Sequence, residues 1–281
     1  METRLSGKKE IVISGGKQTV LIGERINPTG KQRLAEALRT GQLEYVLHEA
    51  KEQVAAGADI LDINVGAGGI DEAALLPEVV KLVGNEVDVP LCLDSGNPMA
   101  IEAALRVYTG KPLINSVKGE EQSMQTILPL VKEYGAAVIV LPLNEKGIPP
   151  DAATRLQIVD RIIEQCVKIG IPLNDIVVDC LALSVGVDPK AALVTLETIR
   201  EVREKFGVNI TLGASNVSFS LPGREVINTS FLALAIAAGV TCPVVDVAKV
   251  RRHVLATDLL LGRDNYALKF IRYYRSNKDR F

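Results

Sequence analysis

The chain has no tryptophan, two histidines, four cysteines and only 4% aromatic residues among its 281. Each shortage excludes a class of chemistry. Cys92, Cys166, Cys180 and Cys242 are far apart with no C-x-x-C spacing, which argues against a disulfide framework, a zinc knuckle or an iron–sulfur cluster and fits a reducing cytoplasm. His48 and His253 lie in helical patterns without a second His or Cys at ligand spacing, so no metal site is expected. Cationic excess is lacking too: 32 Lys and Arg face 34 Asp and Glu, a net charge of −2. No basic field exists to neutralise the phosphates of a nucleic acid, and nucleic-acid binding is not expected. No uncharged apolar run reaches the ~18 residues of a membrane span, and Met1 to Glu10 lack the apolar core of a signal peptide. A soluble, cytoplasmic protein is expected. Gly66-Ala67-Gly68-Gly69 does not have dinucleotide-fingerprint spacing, and no phosphate-loop motif is present.

What is abundant is Val, Ile, Leu and Ala, which carry most of a 47% hydrophobic content. That composition suits a buried parallel sheet covered by helices. Short β-branched runs alternate with longer segments of helical period through eight cycles. The strand expectations are Val20–Arg25, Ile60–Val65, Pro90–Asp94, Leu113–Ser116, Ala137–Leu141, Ile176–Cys180, Ile210–Ala214 and Val244–Val247. Helical patterns follow at Tyr45–Ala56, Glu72–Val83, Met99–Val107, Gln122–Glu133, Ala152–Ile169, Pro189–Lys205, Glu225–Ala238 and Val250–Leu261. Eight units favour a closed (β/α)8 barrel, with residues 1–281 as a single domain, over a doubly wound sheet, whose glycine turn is missing at Gly23-Glu24-Arg25. A β-hairpin is expected before the first cycle, with Ile11–Ser14 and Thr19–Leu21 flanking Gly15-Gly16-Lys17 and plugging the barrel bottom. The tail after Leu261, with Arg263, Lys269, Arg272, Arg275 and Lys278, reads as a solvated basic helix face.

In such a barrel the active site forms where the strands end, at their C-terminal side. The residues there are Glu24, Arg25 and Asn27, then Asp62 and Asn64, then Asp94, Ser95 and Asn97, then Asn115 and Ser116, Asn144, Asp179, then Ser215, Asn216 and Ser218, and finally Asp246. This set is rich in Asn and Asp and poor in the His, Lys and Cys that usually serve as bases or nucleophiles. Carboxylates and carboxamides match the edge of a pterin: Asp accepts from a ring N–H and an amino group together, and Asn both donates and accepts. Any one of these residues alone is more simply a helix cap or turn former. Their convergence on one mouth favours a polar ligand site.

Six stretches in this order resemble the methyltetrahydrofolate:corrinoid methyltransferases: Ile22-Gly23-Glu24-Arg25-Ile26-Asn27, Leu61-Asp62-Ile63-Asn64-Val65-Gly66, Leu93-Asp94-Ser95, Ile114-Asn115-Ser116, Asn144-Glu145-Lys146-Gly147-Ile148-Pro149 and Ser215-Asn216-Val217-Ser218. The resemblance implies that Asp94, Asn115 and Asp179 hold the pterin ring and that Asn216 hydrogen-bonds near N5, where the methyl group leaves. It makes Asn216 and Asp179 the catalytic candidates. Glu24, Asn27, Asp62, Asn64, Ser218 and Arg224 are further substrate-binding candidates. It also implies methyltetrahydrofolate or tetrahydrofolate as substrate, a corrinoid delivered by a partner protein, and a homodimer. The Asp-x-His-x-x-Gly motif that supplies a lower cobalt ligand is absent around His48 and His253, so no corrinoid is expected to be bound permanently. Dihydropteroate synthases share part of the Asp/Asn pattern, and a synthase of that kind or a non-catalytic folate-binding protein is the alternative. The family commonly has Asp-Pro after the sixth strand, whereas Asp179 here precedes Cys180.

Overall fold

The computed structural model describes residues 1–278. The chain runs β1 (Glu2–Ser6), β2 (Glu10–Ser14), β3 (Ile22–Ile26), α1 (Gln32–Arg39), α2 (Leu43–Ala55), β4 (Ile60–Asn64), α3 (Glu72–Glu86), β5 (Leu91–Asp94), α4 (Pro98–Val107), β6 (Leu113–Lys118), α5 (Glu121–Tyr134), β7 (Ala137–Leu141), α6 (Ala152–Lys168), β8 (Ile176–Asp179), α7 (Ala191–Phe206), β9 (Asn209–Thr211), α8 (Arg224–Ala238), β10 (Val244–Val245), α9 (Val247–Leu260) and α10 (Leu268–Ser276). Eight strands pair in parallel in the order β10-β3-β4-β5-β6-β7-β8-β9. A parallel bridge between Gly213 and Val244 joins the two ends, with Val244 N–H donating to Leu212 O at 2.9 Å. The result is a (β/α)8 barrel, and each expected strand region overlaps one of its strands.

The strands form because both of their faces are covered, so near-continuous apolar runs such as Ile60-Leu61-Asp62-Ile63 and Ala137-Val138-Ile139-Val140 are entirely buried. Side chains alternate across each strand. Leu61, Ile63, Leu93, Ile114, Val138 and Val178 pack outward in the large cluster shared with the helices. Ile22, Ile60, Cys92, Leu113, Ile139 and Val177 form a separate cluster inside the barrel. Stepping two residues along the inward face from Ile60, Cys92, Leu113 and Val177 reaches Asp62, Asp94, Asn115 and Asp179. The strands therefore carry a polar layer directly above an apolar plug.

The helices start and stop on local signals. Asp71 accepts from Ala73 and Ala74 N–H at the start of α3, Asn97 accepts from Met99 N–H ahead of Pro98 in α4, and Asp151 caps α6. At the end of α5, Gly135 takes φ 61°, a left-handed conformation costly for a residue with a Cβ.

The hairpin is present but lies one strand earlier than the sequence suggests. β1 pairs antiparallel with β2, Glu2 opposite Ser14 and Ser6 opposite Glu10, so the turn is at 7–9. Gly15-Gly16-Lys17 still turns, with Lys17 N–H on Ser14 O at 3.3 Å, but it leads into β3 instead of folding a strand back. The charged Glu2 and Arg4 obscure an alternation in which Thr3 and Leu5 point inward and are fully buried. Leu5 and Ile13 do plug the barrel interior. α1 carries no side-chain cap and is only eight residues long, which left it without a sequence signature. None of the residues of α10 is buried, in keeping with a solvated basic tail. No helix among the described residues is long and apolar enough to cross a membrane.

Candidate active site

The polar layer is tied together across β4, β5 and β6. Asn64 donates from Nδ2 to Asp94 Oδ2 at 2.9 Å, and its Oδ1 accepts from Gly66 N–H at 2.8 Å. Asn115 donates from Nδ2 to Asp62 Oδ1 at 3.3 Å. Asp62 is 3% exposed, and burial, with the neighbouring Asp94 charge second, pushes its carboxyl well above the usual range. Burial also raises Asp94, to about 6; hydrogen bonds from Asn64 and Asp62 oppose the rise, while Glu72 adds to it. Glu72 is itself engaged, accepting from Ser95 Oγ at 2.5 Å.

Asp179, at the end of β8, is also raised to about 6 by burial, against the pull of Leu181 N–H and of Arg155. Its Oδ1 accepts from Leu181 N–H at 2.7 Å. Leu181 has φ 54°, an uncommon conformation for a bulky residue, in the turn that this bond closes. Arg155, from α6, is 1% exposed and donates to Pro149 O, Cys180 O and Leu181 O, clamping two of the loops that frame the mouth.

Across the mouth, residues Ala214–Ser218 form a short 3-10 turn. Asn216 sits on it exposed, and among the described residues its side-chain amide has no hydrogen-bond partner. The turn itself is braced: Ser218, fully buried, bonds to Ser215 O, and Arg224 reaches back to Ser218 Oγ at 3.0 Å and Ser215 O at 2.8 Å. Ser215 Oγ lies 3.4 Å from Glu24 Oε2. Burial raises Glu24, with Lys31 opposing and Asp246 reinforcing the shift. A cavity of about 240 Å³ opens beside these groups, lined in part by Glu24, Ser215, Arg224, Asn228, Asp246 and Lys249. Among the described residues, Asn228 Oδ1 and Asp246 Oδ1 are buried without a hydrogen-bond partner.

The structure thus brings Asp62, Asn64, Asp94 and Asn115 into one network, sets Asp179 on the same inward layer, and places Glu24, Asn216, Ser218 and Arg224 on the facing rim. Asn27 makes a local turn, its Oδ1 accepting from Thr29 N–H at 3.0 Å, and Asn144 does the same with Lys146 N–H. Sequence reasoning did not single out Asn228, Lys249, Glu72 or Arg155. Asn228 and Arg155 are interior to helical patterns, and only a buried polar residue in an amphipathic stripe could have signalled them.

Comparison with known proteins agrees with this architecture. The family model described as "Pterin binding enzyme" matches residues 23–246. A methylcorrinoid:tetrahydrofolate methyltransferase of Eubacterium limosum is 27% identical, the match covering 92% of this chain and 97% of that protein. Solved dihydropteroate synthases have the same fold: that of Yersinia pestis with a pterin–sulfa conjugate superposes with a TM-score of 0.71 at 17% identity over 93% of this chain and 99% of its own. That of Vibrio fischeri gives 0.71 at 16% over 94% and 99%. With a matched span that begins in β3, ends just past β10 and takes in the whole polar layer, the chain belongs to the pterin-binding enzymes.

Proposed function

We propose that the protein is a methyltransferase that moves the N5-methyl group between methyltetrahydrofolate and the cobalt of a corrinoid carried by a separate protein. The observation that carries this reading is the pairing of a buried, hydrogen-bonded Asp/Asn layer with one unbonded amide, Asn216, on the facing rim. It is supported by a pterin-family match and by a relative whose name describes this transfer. Asp94 accepts from the amino group and N3–H of the pterin, Asn115 offers its carbonyl, and Asp179 holds the far edge. Asn64, Asp62 and Asn27 shape the pocket from behind, while Glu24, Ser218 and Arg224 frame the rim; among the described residues Arg224 keeps Nη1 free to meet an anionic group of the substrate.

N5 is a poor leaving group until it gains a proton or a strong hydrogen bond as the C–N bond breaks. Asn216 cannot ionise, so it stabilises the protonated nitrogen, with the proton entering from solvent through ordered water near Asp179. A Co(I) corrinoid supplies a powerful nucleophile that needs no base from the protein. The protein works in the cytoplasm as a homodimer, residues 1–281 forming a single domain. Single-turnover methyl transfer from methyltetrahydrofolate to Co(I)-cobalamin tests the reading. Tight folate binding with no transfer to any corrinoid would reduce the chain to a folate-binding protein, and condensation of a pterin pyrophosphate with p-aminobenzoate would move it to the synthases.

A further inference from the structure

Asp62 is the most deeply buried side chain of the polar layer. It shares the inward face of β4 with Asn64, stands opposite Cys92 of β5 in register, and is 3% exposed. Asn115 from β6 donates to it through Nδ2 at 3.3 Å, and the Cys92 thiol and Asp94 carboxyl of the neighbouring β5 are the groups that act most directly on its carboxyl. We propose that Asp62 is a positioning residue that does not touch the pterin: it donates one hydrogen bond up to Asp94, accepts one from Asn115, and so aims both ligand-facing groups.

A hydrogen bond between the two carboxyls requires a proton on one of them, since two carboxylates offer only acceptors. The more deeply buried of the pair keeps it, because the charged form is the more penalised where less water reaches. Asp62 therefore carries the proton, and Asp94, bonded by Asn64 Nδ2 as well, is left as the carboxylate that a pterin amino group and N3–H need. The same bond fixes an amide orientation. With Nδ2 of Asn115 turned down to Asp62, its Oδ1 faces the mouth as an acceptor. The other titratable groups near the pair are Cys92, whose thiol is itself pushed well up by burial, and Glu72 from α3, which acts on Asp94.

An amide can imitate a neutral acid here, donating from Nδ2 to Asp94 and accepting at Oδ1 from Asn115, whereas leucine fills the volume and does neither. The proposal rests on the folate reading, and its test has one arm independent of it. In the first arm, Asp62→Leu should weaken methyltetrahydrofolate binding about tenfold or more and move the acid limb of binding to higher pH, and Asp62→Asn should restore both to near the parent values. In the second, carboxyl carbon NMR of the ligand-free protein should show Asp94 titrating at higher pH in Asp62→Leu and at its parental position in Asp62→Asn. An Asp62→Asn variant that binds as poorly as Asp62→Leu would show that the negative charge itself is needed and would overturn the proposal. So would an Asp62→Leu variant with parental affinity and an unmoved Asp94 titration. If the parent bound no methyltetrahydrofolate, the functional reading would fall while the NMR comparison still decided the role of Asp62. Should Asp62→Leu not fold, Asp62→Asn alone must still match the parent in both arms.

Discussion

The two ends of this barrel are built from the same residue types and differ in how those residues are satisfied. At the bottom, Asn209 donates to Thr3 Oγ1 and Ile13 O, tying the hairpin to β9. Buried Asp258 accepts from Thr19 N–H at 2.9 Å, from Thr19 Oγ1 at 2.8 Å and from Arg263 at 3.1 Å. Every group in that cluster finds a protein partner. At the mouth, among the described residues, Asn216 has no side-chain partner, Asn228 Oδ1 and Asp246 Oδ1 are buried and unpaired, and burial pushes Asp94 and Asp179 to about 6. Satisfied polar groups hold a fold together, while a mouth left unsatisfied is a mouth shaped for something that comes from outside.

The comparison breaks most visibly at Asp258. Asp258→Ala strands the 13%-exposed Arg263 guanidinium and a buried Thr19 N–H, so urea unfolding should lose about 3–5 kcal/mol, as when one member of a buried pair is removed. Folate affinity of the folded fraction should be unchanged. Loss of binding with parental stability would place function at the wrong end.

At the mouth the pattern should reverse. Asn216→Ala removes a side chain with no hydrogen-bond partner among the described residues, so stability should stay within about 1 kcal/mol of the parent, near the cost of losing a helix cap. Turnover in single-turnover methyl transfer should drop on the order of 10²-fold, the cost of one preorganised hydrogen-bond partner, with a much smaller change in folate Kd. A variant with a normal transfer rate and a lower melting point would remove Asn216 from the mechanism.

Next in size is Asp94→Ala, which should weaken folate binding by about 2 kcal/mol because the pterin donors lose a charged acceptor. Titration against methyltetrahydrofolate checks it; affinity within error of the parent would leave Asp94 as a partner of Asn64 only. Its unfolding free energy should not drop to match, since the carboxylate is held at a cost.

The smallest effect is one of pH. Asp94 and Asp179 are raised from 3.8 to about 6, so their favourable contribution to folding is complete below pH 3.8 and disappears as pH rises through 6. Between pH 7 and pH 5 the ligand-free protein should therefore gain stability from these two groups while folate affinity declines as Asp94 protonates. Melting curves and titrations at matched pH test the opposed slopes, and an affinity flat across that window would show that neither carboxylate meets the ligand in its charged form.

The barrel was legible in the sequence because a parallel strand covered on both faces must be apolar along its length, and eight such runs separated by helical periods allow few other arrangements. The mouth residues were legible for a related reason. An Asp or Asn ending an apolar run, as in Leu61-Asp62-Ile63-Asn64 or Leu91-Cys92-Leu93-Asp94, stands out against the residues that precede it. The hairpin was misplaced because Glu2 and Arg4 project outward and mask the buried Thr3 and Leu5 between them.

What the sequence determined by itself was therefore the element order, the strand ends and the chemical character of the site, since all three depend on periods of two and 3.6 residues and on residue type. Only the tertiary structure decided which of those similar carboxamides and carboxylates are spent on each other and which remain available. Asn64 and Asn216 read alike in the chain, yet one is bonded at both ends of its amide by Asp94 and Gly66 and the other, among the described residues, by no group. That distinction depends on side chains converging from strands far apart in sequence, whose distances no local pattern encodes.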